Sequence, residues 1–405
     1  GSPPGNGDWA PHLHFQVVLD LLGLDRDFPG VCRASEREMW KALSPDPNPI
    51  LGIPKERFGA PPEPEETTLE KRRRLLGGSV RLSYDRPLKF VRGFGAYLYD
   101  QTGRAFLDMY NNVPLVGHSH PKVVRAVRDQ IGLLNTNTRY LHDNVVRYAE
   151  RLTALMPGPL RVCFFVNSGS EANDLALRMA KTHTGCQDVI VLENAYHGHT
   201  ASLIEVSPYK FLGHGGGGQS PLVHVAPMPD DYRGLFRRDD PEAGVKYGRA
   251  VGQVVSRLRR AGRRPAAFIA ETLPSVGGQI VPPKGYLAEA YAHVREGGGV
   301  CIADEVQVGF GRLGTHYWGF EMQGVVPDIV VLGKPAGNGF PLGVVVTTEE
   351  IAKSFDNGME FFSTFGGNPV ACAAGLAVLD VVRDEGLQQR ALDAGTNLIS
   401  VLRMM

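Results

Sequence analysis

From about residue 160 onward, short apolar runs alternate with longer segments whose apolar positions recur every three to four residues. The runs are Val162-Cys163-Phe164-Phe165-Val166, 189–192, 266–270, 300–303 and 328–332, and the amphipathic segments include 171–184 and 247–261. A strand with no polar alternation is covered on both faces, which predicts an α/β fold: a mostly parallel sheet with helices on either side. Ligands of such sheets bind at the carboxyl ends of the strands. Upstream, Pro87-Leu88-Lys89-Phe90-Val91, Ala96-Tyr97-Leu98-Tyr99-Asp100 and Ala105-Phe106-Leu107-Asp108, with Gly103 at a turn, predict a small antiparallel meander. No internal repeat is present, and Gly215-Gly216-Gly217-Gly218 reads as a flexible loop.

Near the start, alternation from Trp9 to Val18 places His12 and His14 on one face of a strand. Two such histidines can chelate zinc. The run resembles the last strand of lysostaphin-like zinc peptidases, but the upstream His and Asp of that family have no counterpart. Residues 1–25 are therefore expected to be a remnant of a preceding domain, with no working metal site; an ordinary edge strand is the alternative. Ser44-Pro45-Asp46-Pro47-Asn48-Pro49 and Pro61-Pro62-Glu63-Pro64-Glu65-Glu66 are linker-like, because proline removes donors and the charges favour solvation. The expected organisation is a linker over 26–57, the first part of a small domain over 58–110, a large domain over 111–345, and the start of a second small-domain part over 346–405. The opening Gly1-Ser2-Pro3 and the uncapped helical pattern ending at Met405 suggest a longer parent protein.

Composition narrows the partners. The 405 residues carry 43 Lys+Arg against 43 Asp+Glu, so no general field attracts nucleic acid or anionic lipid, and an anionic ligand needs a local site. The basic runs 71–74 and 257–264 suit solvated helix faces. Five cysteines, Cys32, Cys163, Cys186, Cys301 and Cys372, are widely spaced without a CxxC pair, which favours a reducing, cytoplasmic setting over disulfides or a cysteine zinc site. No apolar run reaches the roughly 18–20 residues of a membrane helix.

The polar motifs follow the apolar runs and so fall at one edge of the sheet. Asn167-Ser168-Gly169-Ser170-Glu171-Ala172 leaves a strand and opens a helix, where small residues and free N–H groups suit an anion. It also reads as an ordinary helix start with Ser170 as N-cap. Asp304-Glu305-Val306-Gln307 ends another strand, and a carboxylate leaving a buried run needs a partner. A protonated pyridine nitrogen would serve, kept cationic as an electron sink, with Val306 on a ring face and Gln307 at a ring hydroxyl. A salt bridge to Arg312 is the alternative. The GxGxxG match at 309–314 is not a dinucleotide fingerprint, since Asp304-Glu305 separate it from the strand and no helix pattern follows. Lys334, in Gly333-Lys334-Pro335-Ala336-Gly337-Asn338-Gly339, can lose its proton in a partly desolvated turn and act as an imine-forming amine and base, or it is a surface lysine. Tyr196-His197-Gly198 offers a stacking aromatic and Ser363-Thr364-Phe365-Gly366-Gly367-Asn368-Pro369 a hydroxyl in a tight turn.

In this order, the motifs resemble the class III aminotransferases of pyridoxal-phosphate fold type I, from about Pro87 to the end of the chain. The resemblance implies pyridoxal 5'-phosphate as cofactor. Lys334 would be the lysine that forms an imine with it, Asp304 the partner of the pyridine nitrogen, Gln307 the neighbour of the ring hydroxyl, and Tyr196, beside His197, the stacking aromatic. Ser168, Gly169 and Ser170 would hold its phosphate, and Thr364 would reach the phosphate of a partner subunit in a homodimer.

Amine-transferring members usually read Glu-Pro-x-Gln-Gly-Glu-Gly-Gly near residue 271, with a second glutamate that pairs with a mobile arginine. Here Glu271 is kept in Glu271-Thr272-Leu273-Pro274-Ser275-Val276-Gly277-Gly278, but Val276 stands at the second position. Together with Ser207-Pro208-Tyr209-Lys210-Phe211 and Ala226-Pro227-Met228-Pro229-Asp230, this segment resembles the phospho-lyase branch, which acts on phosphoethanolamine or 5-phosphohydroxylysine. A small phosphorylated amine is then the expected substrate, with Arg139, His142 and Lys210 as candidate phosphate contacts. An omega-aminotransferase using a keto acid is the alternative, and a catalytically idle dimerisation module is a third.

Overall fold

The computed structural model describes residues 33–44 and 67–405. The histidine pair at 12 and 14 and the proline-rich stretches at 45–49 and 61–66 lie outside those residues. The chain divides into two compact units between Tyr110 and Asn111.

In the first unit, helix α1 (Arg37–Leu43) buries Met39, Trp40 and Leu43 with Tyr99. Helix α2 (Thr68–Leu75) opens with a reciprocal Thr67–Glu70 capping box. Strands β1 (Phe90–Phe94), β2 (Tyr97–Asp100) and β3 (Ala105–Leu107) form the antiparallel meander in the order β1-β2-β3. Asp100 Oδ1 accepts from the N–H groups of Thr102 and Arg104 and so closes the β2–β3 turn.

The second unit holds helices α3 (Pro121–Ile131) and α4 (Asp143–Ala154), and then strands and helices in alternation. These are β4 (Val162–Val166), α5 (Gly169–Thr184), β5 (Asp188–Leu192), α6 (Ala201–Glu205), α7 (Pro208–Phe211), β6 (Val223–Ala226), α8 (Ala243–Arg260), β7 (Pro265–Glu271), α9 (Tyr286–Glu296), β8 (Val300–Asp304), β9 (Ile329–Leu332) and β10 (Gly343–Thr347). Helices α10 (Glu349–Phe355), α11 (Pro369–Asp384) and α12 (Leu387–Met404) follow, and residues 346–405 cluster with this unit.

The seven strands run β4-β10-β9-β8-β7-β5-β6, parallel except for β10, which is antiparallel to both neighbours. Both faces are covered, as the unbroken apolar runs require. Val189, Val191, Ile269, Ile302, Val331 and Val345 pack with Ala172, Leu175, Ala176 and Met179 of α5. Their neighbours point the other way: Ile190 and Phe268 join α8 and α9, while Val330, Leu332, Val344 and Val346 join Trp318, Phe320, Tyr148 and Leu152. Burying each such side chain contributes about 1.5–3 kcal/mol. Glycines 244, 248 and 252, spaced one turn apart on α8, lie so close to α9 and the segment before it that a Cβ at any of them would come within 3 Å of it.

Candidate active site

The carboxyl ends of β4, β5, β7, β8 and β9 share one edge of the sheet, and each delivers a polar residue there. Register pairs Glu271 of β7 with Asp304 of β8, and Asp304 with Val331 of β9, one residue before the end of that strand. Backbone pairing thus sets Glu271 and Asp304 on neighbouring strand ends, with Lys334 in the turn that follows β9.

Asp304 is 4% exposed, and its Oδ2 lies 2.8 Å from both His197 Nδ1 and Asn173 Nδ2. Its Oδ1 accepts from Val306 N at 3.1 Å. Arg312 is not its partner: that guanidinium donates instead to the Asn112 carbonyl at 2.7 Å. His197 is itself held, since its N–H donates to Ser207 Oγ at 3.0 Å and its carbonyl accepts from Asn173 Nδ2 at 2.9 Å.

Val306 leaves β8 as a wedge. A Cβ at Gly169 would stand 2.8 Å from Val306 Cγ1, and one at Gly333 2.9 Å, so the turns after β4 and β9 close on it only because both residues are glycine. Gln307 Oε1 accepts from Asn112 Nδ2. Lys334, half-buried, starts a 3-10 turn directly after Gly333. Burial, with Arg312 adding to it, pushes its ammonium below the ordinary lysine range, against the pull of the Asp304 and Glu271 carboxylates. The amine is therefore easier to deprotonate than a surface lysine.

The start of α5 differs in detail from the expectation. Ser168, not Ser170, is the N-cap: its backbone is extended and its Oγ accepts from Glu171 N at 3.1 Å. Ser170 sits inside the first turn, with its Oγ 3.0 Å from His199 Nδ1. The first helical bond is Ala172 N to Ser168 O, so the Gly169 and Ser170 N–H groups precede it and have no partner within the helix.

Glu271 is buried and turned onto its own loop, where its Oε2 accepts from Ser275 N and Ser275 Oγ, both at 2.7 Å. Burial, reinforced by Asp304, raises its pKa despite those bonds. Glu305 points away from the site. It accepts from Thr272 Oγ1 at 2.8 Å and from the N–H groups of Gly319 and Phe320 at 2.9 Å, yet burial pushes it up to about 7. Tyr196 is half-buried beside this cluster, with Tyr209 edge-on 6.2 Å away.

The remaining expected residues scatter. Arg139 donates to Glu360 at 3.2 Å and lies 4.1 Å over the Phe362 ring. His142 caps α4 by accepting from Asn144 N at 3.1 Å. Thr364 is exposed, outside the cluster. Lys210 sits 5.5 Å from the centre of the Tyr196 ring.

Three side chains of the cluster, Asn112, Asn173 and His199, escaped the sequence reading. Asn173 carried a signal, as a polar residue among Ala172, Leu175 and Ala176 on a helix's apolar face. Asn112 carried none, since its partner is 195 residues away.

The arrangement fits pyridoxal phosphate by its donor set and its shape. Asp304 could face a ring nitrogen, Gln307 with Asn112 a ring hydroxyl, Val306 and Tyr196 the two ring faces, and the first turn of α5 a phosphate. The two glycines let Val306 seat closely between the turns after β4 and β9, where it could back one ring face. Among the described residues no group of three or more His, Cys, Asp or Glu is placed to hold a metal ion, and no helix is long and apolar enough to cross a membrane.

A family model described as aminotransferase class-III matches residues 81–405. A Drosophila melanogaster protein named alanine–glyoxylate aminotransferase 2-like is 53% identical over 337 residues, 82% of this chain and 68% of its own length. A Caenorhabditis elegans protein named ethanolamine-phosphate phospho-lyase homolog 1 is 43% identical over 352 residues, 84% of this chain and 75% of its own. Among solved structures, a phospholyase from Arthrobacter in complex with phosphoethanolamine superposes with a TM-score of 0.78 at 40% identity, covering 83% of this chain and 78% of that one.

Proposed function

Because the chain belongs to the class-III aminotransferases, which are pyridoxal-phosphate-dependent enzymes, we propose that it is a phospho-lyase acting on a phosphorylated amino alcohol. The substrate is O-phosphoethanolamine or 5-phosphohydroxylysine, and the products are an aldehyde, ammonia and phosphate. The observation that carries this reading is the 271–279 loop. Glu271 is engaged by Ser275, and Val276 offers no acceptor where amine-transferring members use a carboxylate to hold an arginine. The 40% identity to a phospholyase in complex with phosphoethanolamine supports it.

When bound, pyridoxal phosphate supplies a cationic ring that accepts the electron pair left as a proton departs from the carbon bearing the substrate's amine. Asp304, held by His197 and Asn173, keeps the ring nitrogen protonated. Lys334 removes and holds the proton. Loss of that proton and of phosphate from the adjoining carbon leaves an enamine, which takes up one water to release aldehyde and ammonia. Nothing is oxidised or reduced, so no keto acid is consumed and a gate for a second substrate has no task.

The same reading includes a second copy of the chain, with Thr364 of each copy reaching the other's cofactor phosphate. Exposed Leu133, Leu141 and Phe365 support it, on segments that meet where Asn135 Oδ1 accepts from Val370 N and Arg139 donates to Glu360. The described cysteines are free thiols, which suits a reducing compartment such as the cytoplasm.

The test supplies the protein with pyridoxal phosphate and then with phosphoethanolamine or phosphohydroxylysine, without any keto acid. Phosphate and ammonia should appear in equal amounts and vanish in Lys334→Ala. A second reading, keto-acid-dependent transamination, is favoured by the 53% identity to a protein named as an aminotransferase. Amine transfer that requires a keto acid, with no phosphate released, would establish it instead.

A further inference from the structure

We infer that Lys210 binds the phosphate of the substrate, a monoester dianion, beside the strand-end site; this rests on the phospho-lyase reading. A phosphate that must be bound and then leave needs a cation with free donors, and the three candidate groups differ in what they already do. Arg139 is paired with Glu360 and stacked on Phe362. The His142 ring is turned to the N-terminus of α4. Lys210 is exposed, and among the described residues no carboxylate lies within ion-pair distance of its ammonium.

Its neighbours are aromatic. The ammonium lies 5.5 Å from the Tyr196 ring centre and 5.2 Å from that of Tyr209, within the range of cation–π attraction. Ring faces hold a cation in place without using up its N–H donors, and an apolar wall raises the strength of a charge-assisted hydrogen bond made against it. Desolvation by its surroundings also raises the Tyr196 pKa, as expected of an apolar wall.

The turn that carries Lys210 is tied to the catalytic edge. Tyr209 N donates to the Ala195 carbonyl at 3.2 Å, and Ser207 Oγ, wholly buried, accepts from His197 N at 3.0 Å. His197 is the residue that holds Asp304. Two hydrogen bonds therefore fix α7, and with it the Lys210 backbone, against the residue that fixes the carboxylate.

The cofactor also carries a phosphate, and the first turn of α5 is free for it, so the experiment separates the two sources. With cofactor bound, inorganic phosphate is titrated by calorimetry into the protein and into Lys210→Met and Lys210→Arg, and KM for phosphoethanolamine and affinity for pyridoxal phosphate are measured alongside. Losing one charge-assisted contact should weaken phosphate binding and raise KM in Lys210→Met by about 10- to 100-fold. Lys210→Arg should retain most of both, and cofactor affinity should be unchanged. Equal phosphate affinity in Lys210→Met and the unsubstituted protein overturns the assignment. So does a loss confined to cofactor affinity, which would give Lys210 to the cofactor's phosphate. If phosphate binding depends on Lys210 but the unsubstituted protein releases no phosphate from either substrate, the anion site stands and the phospho-lyase reading fails.

Discussion

Asp304 and Leu141 mark two regions of the second unit with opposite designs, at 4% and 103% exposure. At the carboxyl ends of β7 and β8, the Glu271, Asp304 and Glu305 carboxylates are buried and accept hydrogen bonds from the loops and helix packed around them. Along residues 131–141 and 359–365, large apolar side chains face outward: Leu133 is 82% exposed and Phe365 68%. Burying an unpaired carboxylate costs several kcal/mol, so the first region must be complete within the chain except where a ligand enters. The second has no cover within the chain, and a large exposed apolar strip is what the proposed contact with a second copy would need.

The sharpest way to break that contrast is to charge the strip. Leu133→Asp with Leu141→Asp should cost more than about 4 kcal/mol of association, turning a dimer into a monomer by sedimentation velocity. Far-UV circular dichroism should not change, because neither side chain belongs to the core. An unchanged oligomeric state in the double variant would mean that the strip is not the interface.

A smaller effect is expected on the buried side, from Glu305. Its folded pKa of about 7 lies above the ordinary glutamate value of 4.5, so between these the native state holds a proton that the unfolded chain has released. Stability should therefore fall as pH rises from about 4.5 to about 7, by roughly 3 kcal/mol for this group alone. The urea midpoint of the protein should drop across that window, and in Glu305→Gln the drop should shrink by about that amount. A slope unaltered in the variant would place the titration elsewhere, with Glu271 the next candidate, since its pKa is raised as well.

The same contrast governs what could be read in advance. Lys334, Asp304 and the 167–172 turn stand directly after runs of apolar residues, and a polar residue leaving a buried strand advertises a function because its burial needs a reason. The order of strands and the antiparallel β10 do not show in such a pattern. Gly343–Thr347 is as apolar as its parallel neighbours, and only pairing reveals its direction. Strand β6 is short and interrupted by His224, whose ring reaches Asp188, so it gave no clean run. Asn112 was hidden for a related reason, being defined by contact across the chain. The meander was easier, since local turns set its pairing.

The smallest effect separates two serines, of which the sequence pattern points to Ser170 as the cap. Ser168 caps α5 through Glu171 N, whereas Ser170 reaches His199, on the turn that follows β5. Ser168→Ala removes an acceptor from a helix terminus and should cost about 1 kcal/mol of stability, read as a lower urea midpoint. Ser170→Ala removes no cap and should leave the midpoint within about 0.5 kcal/mol, as for substitutions away from structural features. If Ser170 faces the cofactor's phosphate, its loss should appear in a titration with pyridoxal phosphate instead. Two hydroxyls two residues apart would then act on different quantities, one on the stability of the fold and the other on its ligand. Equal loss of stability in both variants would show that the first turn of α5 is a structural cap alone, and the anion would have to be held elsewhere along the strand ends.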